Sequence, residues 1–156
     1  MAQLLPNGFN IIPHAVALLI AYLLALPIGW DREKNERSAG LRTFPLIAMA
    51  SCGFIQATEQ MVAGDPGANA RIIEGLIAGV GFLGGGAILR VNTSVHGTAT
   101  AASLWATGAI GVAVGLGSYD VALVLSVFTI GTLWILSPIK ESIEEKAEKE
   151  GKDDRR

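Results

Sequence analysis

Read for hydrophobic and polar positions, the chain falls into five apolar blocks separated by charged or turn-forming breaks. The blocks are residues 11–30, 43–62, 71–89, 98–116 and 119–136. A helix needs about 20 mostly apolar residues to cross the hydrocarbon core of a bilayer. Each block meets that length or nearly meets it, so the pattern predicts an all-α, polytopic transmembrane domain with five spans over residues 1–136. The break between the last two blocks is only Gly117 and Ser118, which predicts a tight helical hairpin. The fourth block is rich in Ala, Gly and Thr; its modest hydropathy suits a helix packed among others better than one facing lipid. Residues 137–156 form a short charged tail. Ser137-Pro138 reads as an N-cap followed by Pro at the first helical position. With Glu145/Lys149 and Glu148/Lys152 spaced i,i+4, it predicts a short solvated helix that frays before Asp153.

Charge sharpens this picture. Between Thr43 and Leu136 the charged residues are Glu59, Asp65, Arg71, Glu74, Arg90 and Asp120; the rest lie in Asp31–Arg42 and Lys140–Arg156. Basic residues favour the cytoplasmic side of a membrane. With five spans, the loop after the first block, the loop after the third and the tail fall on one side, and Arg71 is the one Lys or Arg on the other. The N-terminus is therefore expected outside and the C-terminus in the cytoplasm. Trp30 and Trp134 then fall at the inner interface and Tyr119 at the outer one, as aromatic belts require. The chain is 51% hydrophobic and 17% charged, which excludes an ordinary soluble domain. No Lys or Arg precedes Arg32, so the first block reads as a retained helix rather than a signal peptide. Nothing in the charge pattern points to nucleic acid.

The third block contains Gly79-Val80-Gly81-Phe82-Leu83-Gly84-Gly85-Gly86. It matches G-x-G-x-x-G literally, but no strand precedes it and no acidic residue follows about 20 positions on, so a dinucleotide site is rejected. In a membrane such glycines let helix backbones approach closely. Gly75/Gly79 and Gly81/Gly85 are two G-x-x-x-G pairs, and Gly111/Gly115 is a third. Two readings stay open for the run: tight packing, including within a homodimer, or a broken helix whose freed carbonyls line an ion site. Thr100, Ser103 and Thr107 share one face of the fourth block, a spacing suited to hydrogen bonds between helices or to a hydrated path. Trp105, mid-block, is expected to pack against the glycines. Cys52 lies in an apolar block and reads as a packing residue; His14 and His96 have no partners at metal spacing.

The acidic residues carry the candidate chemistry. With five spans Glu59, Asp65, Glu74 and Asp120 all fall on the outer side. Mg2+ typically takes one or two carboxylates and keeps several waters, so Glu74, Asp65 and Glu59 are candidate ligands. Glu74 lies inside an apolar segment, which makes it a functional hypothesis by default; its structural alternative is an ion pair with Arg71, three residues earlier. At the cytoplasmic end, Asp31, Arg32, Glu33 and Arg42 form a dense, nearly balanced loop, readable as a topogenic loop, a docking surface or an inner cation gate. There is no nucleophile–base constellation, so an enzyme is not expected.

The chain resembles the MgtC/SapB family of bacterial inner-membrane proteins. The resemblance rests on G-W-D-R-E and A-G-L-R-T between 29 and 43, D-P at 65–66, R-I-I-E-G-L-I-A-G-V-G-F-L-G-G-G-A-I at 71–88 and V-H-G-T-A-T-A-A-S-L-W-A-T-G-A-I-G at 95–111, in that order. It implies a five-helix domain of the bacterial cytoplasmic membrane acting in Mg2+ homeostasis. This chain departs from the family pattern at Thr98-Ala99-Thr100, where relatives usually carry Leu-Thr-Thr, and at Glu74, where relatives often carry Gln or a small residue. Many relatives also have a C-terminal soluble domain, whose functions are not carried over to a tail of this length. The expected function is a cation-transporting or cation-sensing domain, homodimeric and without a resident cofactor, with Mg2+ as ligand or substrate. The alternative is a non-transporting regulator that docks its small-residue helices on another membrane transporter or ATPase.

Overall fold

A computed structural model describes residues 11–34, 39–59, 61, 63–91 and 94–153, and for 91, 94 and 138–153 the backbone alone. The elements are α1 (Ile11–Lys34), α2 (Thr43–Thr58), α3 (Pro66–Gly86), β1 (Leu89–Val91), β2 (Ser94–His96), α4 (Thr98–Gly115) and α5 (Tyr119–Asp153). Among the described residues the regular structure is helical apart from one short hairpin. Three of these helices, α1, α4 and α5 up to Ser137, are long and apolar enough to cross a membrane. The apolar α2 has 16 residues and at 1.5 Å per residue spans about 24 Å, short of a hydrocarbon core of about 30 Å. The 21 residues of α3 supply the length, but Arg71, Glu74 and the glycines dilute its hydropathy.

Three boundaries differ from the hydropathy pattern. The second block was expected to run to Val62, but α2 stops at Thr58, whose hydroxyl donates to the carbonyls of Phe54 (2.8 Å) and Ile55 (3.1 Å). The third helix begins five residues before Arg71, because Asp65 caps it. The Asp65 side chain accepts from the backbone N–H of Gly67 (2.9 Å) and Ala68 (3.1 Å), and Pro66 takes the first helical position, where its missing N–H costs nothing. The expected new helix at Ser137-Pro138 is instead a continuation of α5, which reaches Asp153 without a break. Ser137 does not cap; its hydroxyl donates back to the Leu133 carbonyl, 2.6 Å away. The side chains of the Glu145/Lys149 and Glu148/Lys152 pairs lie outside the described residues.

The hairpin between α3 and α4 was not visible in the sequence. Leu89 pairs with His96, Arg90 with Val95 and Val91 with Ser94. Gly97 closes it at φ 87°, a conformation that favours glycine, and a methyl group there would run into the Ala87 carbonyl. This contact fastens the end of α3 to the start of α4.

The core is assembled around α4, the least apolar of the three long spans and the most buried. It packs against each of the other four helices. Two small-residue seams make this possible. Ala17, Ala21, Ala25 and Ile28 bury one stripe of α1. Gly108, Gly111 and Gly115 bring the α4 backbone against its neighbours. A Cβ at 108 would lie 2.9 Å from a Val80 methyl and one at 115 would lie 2.7 Å from the Ile55 Cβ, while one at 111 would overlap the Ala48 carbonyl. Close backbone approach through small residues is what joins helices where lipid offers no hydrophobic drive. At the other extreme, only Val80 and Gly84 of α3 are buried.

Candidate functional site

The charged motif at the end of α1 folds into a lock. Arg32 is buried, and its Nε donates to the Asp31 carboxylate at 3.0 Å while NH2 makes a second, shorter bond to the same oxygen. A charge-assisted pair of this kind tolerates burial because both members are satisfied. Glu33, one position on, accepts from the Leu41 N–H at 3.1 Å and covers Gly40, so closely that a methyl group at 40 would overlap its carboxylate. Gly29 lies against the same turn: a Cβ there would meet the Gly40 carbonyl at 3.1 Å and the Phe44 Cβ at 3.3 Å. Glu33 therefore ties the end of α1 to the turn before α2, beside the buried Asp31–Arg32 pair, whereas Arg42 is exposed. Outside the lock, Lys34 holds its ammonium 5.5 Å from the exposed Trp30 ring, a cation–π pair.

The candidate cation ligands are not drawn together. Glu59 sits at the C-terminal end of α2, Asp65 is engaged in capping α3, and Glu74 is exposed on the outer surface of α3. Among the described residues no three His, Cys, Asp or Glu side chains are grouped to hold a metal ion. The Arg71–Glu74 pair is also replaced. The carboxylate facing Arg71 belongs to Asp65, 3.8 Å away, with both side chains largely exposed. The helix N-terminus draws Asp65 down over α3, and that brings it to Arg71 first.

The hydroxyl face of α4 is buried, as its spacing suggested, but it bonds within its own helix. Ser103 donates to the Ala99 carbonyl at 2.6 Å and Thr107 to the Ser103 carbonyl at 2.8 Å, while Thr100 is enclosed in the first turn. Among the described residues, a hydroxyl that does cross between helices was missed: Ser126 of α5 donates to the Leu24 carbonyl of α1 at 2.7 Å. No periodicity singles out Ser126, which lies in an otherwise apolar block.

What the structure builds instead is an open apolar crevice beneath α3. A space of about 570 Å3 separates α3 from α2, lined by Ala50, Ser51 and Phe54 on one side and Gly75, Gly79 and Leu83 on the other. A second, of about 290 Å3, lies between α3, α4 and the start of α5. Ser51, Leu76 and Val80 line both.

α3 runs unbroken through the glycine run to Gly86, and within the chain most of its glycines are not packed. A Cβ added at Gly75, Gly79, Gly81, Gly85 or Gly86 would meet nothing within 4 Å, and only Gly84 is seated, 3.2 Å from the Ala101 carbonyl. Because α3 is attached along a single side, Trp105 does not reach the glycines. It is half exposed on the rim of the smaller space, beside Ile73 and Ile77.

Residues 18–142 match the model of the MgtC family. The chain is similar to Protein MgtC of Brucella abortus (strain 2308), 37% identical over 139 residues that cover 88% of this chain and 58% of that protein. It is also similar to Protein MgtC of Salmonella typhimurium (strain LT2), 39% identical over 118 residues covering 76% and 50% respectively. The chain thus spans about half the length of the curated relatives it matches. No solved structure matches it.

Proposed function

The chain belongs to the MgtC family, and from that membership and the geometry of α3 we propose that it acts in Mg2+ homeostasis as a regulator that docks on another membrane protein. The observation that carries this reading is the bare outer face of α3. Gly81 and Gly85 have nothing against them, and Ala78 and Phe82 on the same face are exposed. A helix end to end in a bilayer with a small-residue ridge left uncovered is matched to a partner helix, since such ridges associate by close van der Waals packing. The relevant partner is a transporter or ATPase of the bacterial cytoplasmic membrane. On this reading all five helices lie in that membrane, with α2 and α3 held there by α4, the N-terminus outside and the C-terminus in the cytoplasm. The cation-transporting alternative draws no comparable support from the geometry, because its three carboxylates are apart and the two spaces beside α3 are apolar.

The test combines two measurements. Gly81→Leu and Gly85→Leu should leave the purified protein folded, because both positions are open, yet abolish its support of growth in low Mg2+. Wild-type protein in liposomes loaded with a Mg2+-sensitive dye should show no flux. Saturable Mg2+ entry into those liposomes, or normal growth with both glycines replaced, would overturn the reading. Disulfide trapping between two copies at 81 or 85 would assign the face to a homodimer instead.

A further inference from the structure

The inner face of α3 poses a separate question from the outer one. At 3.6 residues per turn, Gly75/Gly79 lie about 120° around the helix from Gly81/Gly85. They look across the larger space at α2 rather than outward.

Three features of that space belong together. Ser51 is only 2% exposed, yet its hydroxyl makes no hydrogen bond among the described residues. It is not sealed in, since the described residues contain no fully enclosed polar side-chain atom without a partner. Its Cβ backs onto Gly111 of α4 and its hydroxyl is left to the crevice. With α2 and α3 in the membrane, as proposed above, a hydroxyl at that depth is costly to leave unpaired. The second feature is the lining: Gly75 and Gly79 of α3 and Ala50 and Ser51 of α2, small residues on both helices, border the same unfilled gap. The third is how α3 is held. Its inner end is pinned, with Gly84 on the Ala101 carbonyl and Ala87 on Gly97. Toward its outer end the side facing α2 is unsupported.

We infer that α3 is a hinged element which swings about its Gly84–Ala87 end to close on α2, bringing Gly75 and Gly79 against Ala50 and Phe54 and giving the Ser51 hydroxyl a backbone carbonyl of α3 to donate to. Closure removes the crevice, exchanges an unpaired hydroxyl for an interhelical bond, and adds the close backbone contact that small residues allow. The open arrangement described above leaves the same surfaces to lipid chains. Because the outer face of α3 turns with the rest of the helix, closure also re-aims Gly81 and Gly85. The inference does not depend on what those two glycines dock against.

The test is disulfide trapping in native membranes with a membrane-permeant oxidant, in a Cys52→Ala background. Two pairs span the crevice, Ala50→Cys/Gly79→Cys and Phe54→Cys/Gly75→Cys. Cysteine Cβ atoms must come to about 3.8 Å in a disulfide, and in the open arrangement nothing of α2 comes within 4 Å of a Cβ at 75 or 79. Val80→Cys/Gly108→Cys, whose Cβ atoms are already 3.3 Å apart, is the positive control. Closure predicts that both crevice pairs become crosslinked within single chains, and that the single-cysteine variants do not. If the control crosslinks while neither crevice pair does, α3 does not close. If the crevice pairs crosslink only between chains, the space belongs to a second copy and the hinge is wrong. Gly79→Leu supplies a second readout that does not depend on cysteine at 79. It should fill the gap and abolish trapping of the Phe54/Gly75 pair, and persistent trapping would count against closure.

Discussion

The Ser126 hydroxyl of α5 donates to the backbone carbonyl of Leu24 in α1, at 2.7 Å, across the one interface where two long helices meet without α4 between them. Leu24 lies in the turn of α1 that Pro27 interrupts, and a proline weakens the local hydrogen-bond ladder. Bonds of this kind between membrane helices average about 0.6 kcal/mol. Ser126→Ala should therefore lower the unfolding free energy in detergent by roughly that amount. Ser126→Val, which adds bulk at a buried position, should lower it more. Equal stability of both variants to the parent would mean that the bond contributes nothing.

The glycines of α3 and α4 should respond oppositely to the same substitution. Gly111→Ala places a methyl group on the Ala48 carbonyl and should cost about 1–3 kcal/mol, the usual range for overpacking. Gly81→Ala meets open space and should raise stability by up to about 1 kcal/mol through helix propensity. Melting temperatures of the two purified variants give the comparison, and similar shifts for both would contradict the packing described.

Asp65 has two neighbours with different chemistry, and a small set of variants separates them. Loss of an N-cap costs about 1 kcal/mol, whereas exposed ion pairs contribute about 0–1 kcal/mol and fade with salt. Asp65→Ala should destabilise the protein at low and high salt alike, Asp65→Asn should retain most of the stability, and Arg71→Gln should have little effect. A large, salt-sensitive loss with Arg71→Gln would make the ion pair the principal interaction.

At the lock between α1 and α2, Gly40→Ala should loosen the connection, because the new methyl group displaces Glu33 from the Leu41 N–H. Glu33→Gln keeps an acceptor and should preserve it. Limited proteolysis of the purified protein in detergent, scored at the 35–42 connection, reads the difference. Equal cleavage of Gly40→Ala and wild type would show that the lock is not needed.

The orientation has its own check. A reporter active only outside the membrane should work when fused at Asp65 and fail at Arg156. Activity at Arg156 would sink the five-span arrangement.

The residues that the sequence made legible are those whose environment is set by their own neighbours. The Ala/Gly/Thr content of α4 announced a helix packed among others, whereas Asp65-Pro66, an equally local N-terminal helix signal, was passed over because the third block was read from Arg71. Gly117 and Ser118 marked a hairpin between α4 and α5, and Gly117 does adopt a positive φ of 77°. What could not be read was which face each helix turns inward. Gly111/Gly115 and Gly81/Gly85 are the same pattern in sequence; one pair is clasped by α2 and the other is bare, and nothing local distinguishes them. The same limit explains the carboxylates. Placing Glu59, Asp65 and Glu74 on one side of a membrane follows from charge counting, but bringing them to one point needs the lateral positions of α2 and α3. Ser137 shows the converse error: a good local cap signal was overridden because α5 had already begun and the helix simply continued through it.

The burial of α4 bears on how the chain enters its membrane. A segment that owes its place to Gly108, Gly111 and Gly115 seating against neighbours, with hydroxyls along its inner side, gains little by partitioning into lipid alone. It has to be released from the insertion machinery together with α5, across the two-residue turn, or wait beside it until α2 arrives at its glycines. Membrane integration and tertiary assembly are then one event for this helix, and a change that disturbs its seams should show itself first as failed insertion, with α4 left in the aqueous phase and the charged end of α5 misplaced.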